Sequence, residues 1–239
     1  MSNGSKINLL QMQKYFEGQI SKVPIISDLE LSENDYRSLG LKLKTLSFFT
    51  GSENEMEKYM LSIVVHSVYT LVYGCDYEDF DSVMWMVMHK SQYMERMRMQ
   101  MYRDVFDAHG IMTYNVSGAR DIKQECQWLT AIHAGVPNSE KSEYFDLLSN
   151  YLECGDVEVI YNEVFKQLPP RTKLIYRLMS EDNRRQRILD SRTLVMEVMD
   201  EYLKRDELIK KYPHISISLI DHCIMWNENN KYQIRFHIN

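Results

Sequence analysis

Seven methionines crowd into residues 83–101, in MxM and MxxM spacings on either side of His89. Thioether sulfurs so spaced, with an imidazole nearby, are soft ligands of the kind that select Cu(I). Methionine is equally a flexible apolar filler of irregular cores and adaptable interfaces. Helical geometry separates the two chemistries. At about 100° per residue, Met86, Met94, Met97 and Met101 fall with Val83, Val87 and Val105, whereas Met84, Met88 and Met99 fall on the opposite side with Phe106. His89, Gln92, Arg96, Gln100 and Arg103 take the narrow face that remains, and Trp85 falls among them. Sulfurs spread over so wide an arc line a surface, not one ligand site, and such a helix belongs at the centre of a bundle or under a partner. Trp85, Met86, Met94, Met97 and Met101 are therefore the expected interaction residues, and the expected partner is another protein or a second copy of this chain.

Just beyond lies Arg103-Asp-Val-Phe-Asp-Ala-His109. Histidine moves protons near neutral pH, and arginine steadies a phosphate as charge develops on it. Over these seven residues the chain resembles the arginine–spacer–histidine pattern of helical HEPN-type ribonucleases. The resemblance implies His109 as the proton-transfer group and Arg103 as the phosphate-holding group. The same residues also read as a plain helix C-terminus, with His109 against the negative end of the dipole and Gly110 ending the turn. No HExxH and no Glu three residues ahead of a histidine occurs, so neither zinc-protease nor di-iron spacing is present. Cys75, Cys126, Cys154 and Cys223 contain no CxxC pair; free thiols in a reducing compartment are expected, hence an intracellular, cytoplasmic or nuclear location, with no metal and no cofactor.

A third set of polar residues sits near the C-terminus. Residues 1–170 carry 15 Lys/Arg against 24 Asp/Glu, whereas residues 171–239 carry 13 against 10, a shift that raises the question of a polyanion partner. Residues 206–239 read in two ways. As a winged helix, Asp206–Tyr212 is a first helix and Ser216–Trp226 a recognition helix, and Ile234, Phe236 and Ile238 form one face of a terminal strand. Lys210, Lys211, Lys231 and Arg235 then contact phosphates, while Ser218 and His222 reach base edges. As a β-meander, His214–Leu219 alternates with period two, and Asn227–Asn230 makes a hairpin loop.

The elements that must position these residues are helices. With 9 Gly and 5 Pro in 239 residues and 44% hydrophobic content, the composition favours a mainly α protein with a real core, a compact multi-helix bundle plus a small C-terminal β-hairpin, meander or winged-helix-like element. Helices are expected over residues 7–21, 32–49, 56–73, 79–109, 117–134, 139–153, 157–167, 170–179 and 182–204, most of them stopped by Gly or Pro. The best boundary is Leu168-Pro169-Pro170, dividing an acidic bundle (1–168) from a basic segment (169–239), although a proline pair at a helix start is also a corner inside one domain. The longest stretch without charge, Tyr59–Cys75, is interrupted by Ser62, His66, Ser67 and Thr70. It is too short and too polar to cross a bilayer, so no membrane insertion is expected.

Overall fold

The computed structural model describes residues 8–49, 53–74, 92–114 and 116–236. The described residues form twelve α-helices and no strand. The chain divides into two units, Met1–Ala134 and Gly135–Asn239. The Pro169-Pro170 corner falls inside the second unit, where Pro170 is the first residue of a helix.

The first unit contains α1 (Leu9–Gln19), α2 (Glu33–Phe49), α3 (Glu53–Lys58), α4 (Met60–Tyr73), α5 (Gln92–Ala108) and α6 (Ile122–Ala134). The centre is α4, which packs against α1, α2, α5 and α6. Every residue from Met60 to Val72 is buried, so its uncharged run is a core helix apolar on nearly all faces. The polar residues within it are each tied down. Ser62 lies in the first turn, where a backbone N–H has no partner inside the helix. Gln13 of α1 supplies one, accepting from the Ser62 N–H (3.1 Å) and its hydroxyl (2.6 Å) through one oxygen. Tyr69 donates to the Ser27 carbonyl (3.0 Å) and accepts from the Leu31 N–H (2.8 Å), and Tyr73 donates to the Leu31 carbonyl (2.8 Å), so α4 fixes the segment leading into α2.

His66 is the most constrained of these. Its ring stacks on Tyr36 at 4.9 Å and lies against α2 where that helix carries Gly40. A Cβ at position 40 would come within 2.6 Å of His66 Nε2, so glycine is the residue that admits the imidazole. A second histidine, His133, joins two loops to α6. The Ile26 N–H donates to Nδ1 (3.3 Å), and the Met112 carbonyl lies 2.8 Å from Nε2. A carbonyl only accepts, so the proton sits on Nε2 and the ring is neutral.

The second unit contains α7 (Lys141–Ser149), α8 (Val157–Gln167), α9 (Pro170–Leu178), α10 (Glu181–Met199), α11 (Arg205–Lys211) and α12 (Ile217–Phe236). Here α10 and α12 are the hubs, since α10 packs on α7, α8 and α12, and α12 on α7, α10 and α11. Pro169 has no side chain able to cap α9, and the cap comes from elsewhere. The buried Glu140 carboxylate accepts from the Arg171 N–H (3.0 Å), the Thr172 N–H (2.7 Å) and the Thr172 hydroxyl (2.8 Å). It thus satisfies orphan donors at the positive end of the helix dipole. In the segment that follows α7, the Arg192 guanidinium donates to the carbonyls of Tyr151, Leu152 and Cys154.

The C-terminal β element expected from sequence is corrected by the structure. Residues 217–236 are one helix, without the hairpin at 227–230 and without a terminal strand in the described residues, so neither the meander nor the winged helix forms. Ser216 opens the helix, its hydroxyl accepting from the Leu219 N–H (3.3 Å). Asn227, read from sequence as a turn residue, is buried and donates to the Val198 carbonyl (2.8 Å) at the end of α10. No Gly or Pro interrupts residues 214–239, so local propensity has no means of stopping the helix there.

Candidate functional site

Met97 and Met101 lie one turn apart on α5, and both are partly covered. Met99, Tyr102, Val105 and Phe106 turn into the core of the first unit, where the Tyr102 hydroxyl meets the Thr130 hydroxyl of α6 at 2.7 Å. The buried side of the helix is therefore the Met99–Phe106 side, and Met97 and Met101 lie across the helix from Met99, Met101 one turn before the buried Val105. Met94 belongs to α5, while Trp85 and Met86 lie outside the described residues. No group of three or more His, Cys, Asp or Glu able to hold a metal ion occurs among the described residues.

Arg103 points toward α6. It donates to Glu125 through Nε and to Asp107 through a terminal nitrogen (2.9 Å), and its side chain is only 18% exposed. Its guanidinium thus joins α5 to α6. His109 follows the last residue of α5, and the turn around it closes as a complete C-terminal cap. The Ile111 N–H reaches the Phe106 carbonyl (2.7 Å), the Gly110 N–H reaches Asp107 (3.3 Å), and Gly110 takes the left-handed φ of 62°. This is the pattern by which a glycine ends a helix.

The residues expected at base edges, Ser218 and His222, are partly covered and engaged by α7. Lys141, buried on α7, donates to the Ser218 hydroxyl (2.5 Å). One turn on, Ser142 shares a hydrogen bond with His222 Nε2 (3.0 Å), and one turn further Trp226 donates to Asp146 (2.8 Å). Phe145 packs between the His222 and Trp226 rings, 6.2 and 5.8 Å away. Positions 218, 222 and 226 therefore form a ladder along α7, with both helices running the same way. Burial, and then the charge of Lys141, holds the His222 imidazole below its ordinary pKa. Of the expected phosphate contacts, Lys211 pairs with Glu197 and Lys210 is exposed at the end of α11. Lys231 and Arg235 lie in the last turns of α12.

Other buried polar groups, which composition did not single out, are likewise closed in by protein. The hydroxyls of Tyr144 and Tyr176 meet at 3.1 Å, and Arg187 donates to the His214 carbonyl (3.1 Å). His214 in turn contacts Asp190 at 2.5 Å. Burial alone would raise the Asp190 pKa; hydrogen bonds from His214 and Gln186 and the nearby charges outweigh it and hold the carboxyl below its usual range.

One open concavity has an apolar floor. A half-open groove of about 620 Å³ lies between α1, the Leu29–Ser32 segment and the start of α2. Met12, Phe16, Leu29 and Leu31 line it, Tyr15 forms a wall at 37% exposure, and Glu30 and Asp35 lie at its edge. No described helix is long and apolar enough to cross a membrane. Comparison of the chain with protein-family models, with curated proteins and with solved structures gives no match.

Proposed function

We propose that the protein is a non-catalytic helical assembly module, one that docks a protein partner or its own copies through the methionine face of α5. The observation that carries this reading is the division of that helix. Met99 is spent in the core, whereas Met97 and Met101, across the helix from it, remain partly uncovered. Flexible thioether side chains at the edge of a core suit a surface that repacks against a partner. The engagement of Arg103 by Glu125 and Asp107 supports a non-catalytic role, because a guanidinium held in two ion pairs must break them to meet a phosphate.

Sedimentation velocity at micromolar concentration tests the reading directly, comparing the wild type with the double variant Met97→Glu, Met101→Glu. Assembly, or a complex with a co-purified partner, is expected for the wild type. Loss of that complex is expected in the variant, with its helical circular dichroism unchanged. A wild-type chain that remains monomeric and co-purifies with nothing refutes the reading.

A further inference from the structure

The groove between α1 and α2 contains no residue of α5, and it has a chemistry of its own. Its apolar surface is the partly exposed ring of Tyr15 over the largely buried side chains of Met12, Leu29 and Leu31, with Phe16 wholly buried beneath. Among the described residues its charges are Glu30 and Asp35, and no described Lys or Arg lines it. Such a site repels phosphate, nucleic acid and anionic lipid, and it attracts an occupant that offers apolar side chains and positive charge together. At about 620 Å³ and half open, it falls within the roughly 300–1,000 Å³ of binding clefts. A groove open along one side suits a chain segment better than an enclosed small molecule, and a helix laid in a groove presents anchors at i, i+3 and i+4.

Glu30 occupies its place at a conformational cost. It adopts φ 51°, ψ 40°, following the 3-10 turn Ile26–Leu29, and its N–H bonds back to the Ser27 carbonyl (3.3 Å). Glycine is the residue that accepts this left-handed geometry readily, yet the position carries a carboxylate exposed at the groove's edge. Asp35 is held by the Ser32 hydroxyl (2.6 Å), with its own N–H returning to that hydroxyl (3.2 Å). The second acid is thus fixed in position by the first turn of α2.

We infer that this groove docks a Lys/Arg-bearing amphipathic helical segment of a partner protein, its apolar face on Tyr15 and the exposed edges of Met12, Leu29 and Leu31 and its cations against Glu30 and Asp35. The test uses the full chain and fluorescence anisotropy with a labelled Leu/Lys amphipathic peptide, beside the same peptide carrying Glu for Lys. Saturable binding of the Lys peptide alone is expected, weakening as salt rises. Glu30→Lys is expected to weaken it about tenfold, whereas Glu228→Lys, the same charge change on an exposed residue of α12, leaves it within about twofold. Glu30→Gly, which suits the left-handed backbone, provides the charge-removing variant if the lysine variant unfolds; it too is expected to weaken binding. No binding, equal binding of both peptides, or equal losses in the Glu30 and Glu228 variants overturns the inference. Self-association of the wild type that Glu30→Lys abolishes also overturns it, placing a second copy in the groove.

Discussion

Acid should destabilise the first unit through one imidazole. Burial first, and then the positive charge of Lys44, pushes His66 down from 6.5 to about 4. In the unfolded chain the same ring takes its proton near 6.5. Between those values the unfolded state binds the extra proton and the native state does not, so stability is full above about pH 6.5 and falls as the pH drops toward 4. The displacement corresponds to about 3 kcal/mol, lost at up to about 1.4 kcal/mol per pH unit for a single proton. Carboxylates titrate over the same window, so the measurement must be a difference. Urea unfolding of the wild type and of His66→Gln, taken from pH 7.5 to 4, isolates the ring. The variant is expected to be less stable at neutral pH, because it loses the stacking on Tyr36. The gap should then close by about 3 kcal/mol at pH 4. An NMR titration of the wild-type imidazole gives an independent reading, with a midpoint near 4. A gap that does not change with pH, or a ring that titrates near its ordinary 6.5, refutes the reasoning.

Gly40→Ala brings a Cβ to 2.6 Å from His66 Nε2 and should destabilise by about 1–3 kcal/mol despite the better helix propensity of alanine. In a His66→Ala background the same change should stabilise, and a thermal-denaturation double-mutant cycle without that reversal rejects the packing argument. Glu140→Ala strands two backbone N–H groups at the start of α9 and should cost about 2 kcal/mol in chemical denaturation, a value indistinguishable from zero ruling out the cap. Asn229→Pro separates a helix from a hairpin at residues 227–230: within α12 it should cost about 3 kcal/mol and reduce the helical circular dichroism, whereas a loop would tolerate it.

Most helices are legible in the sequence because two local cues agree. Apolar residues recur at helical spacing, and Gly110, Gly135 and Pro170 stand where the chain turns. The helix at Val157–Gln167 has the bounds that its pattern gives. The failure at α12 is equally physical. His214–Leu219 alternates like a strand only because Ser216 is a helix cap, and Asn227 resembles a turn residue only until the Val198 carbonyl it serves is known. That carbonyl lies 29 positions earlier in the chain, and no local window contains it. The polar residues suffer from the same limitation. Arg103 beside His109 suggests chemistry while its partner Glu125 is out of view, and Ser218 and His222 look free until Lys141 and Ser142 are set against them. Glu140 carries no sequence signature, since a cap supplied from another element follows no spacing rule.

The ladder joining α7 to α12 bears on the order in which the chain acquires structure. Its rungs connect residues 77 to 80 positions apart, so the first helix of the second unit must wait for the last before its buried lysine and aromatic face are covered. Contacts of such separation incur their loop-closure entropy before they return any stability. During vectorial synthesis the first unit, ending at Ala134, has all its own helices in hand while the second is still emerging. The second then holds Lys141 and Phe145 without their partners on α12 until that helix has cleared the ribosome. That interval is when this half of the molecule is most open to aggregation and most in need of a chaperone.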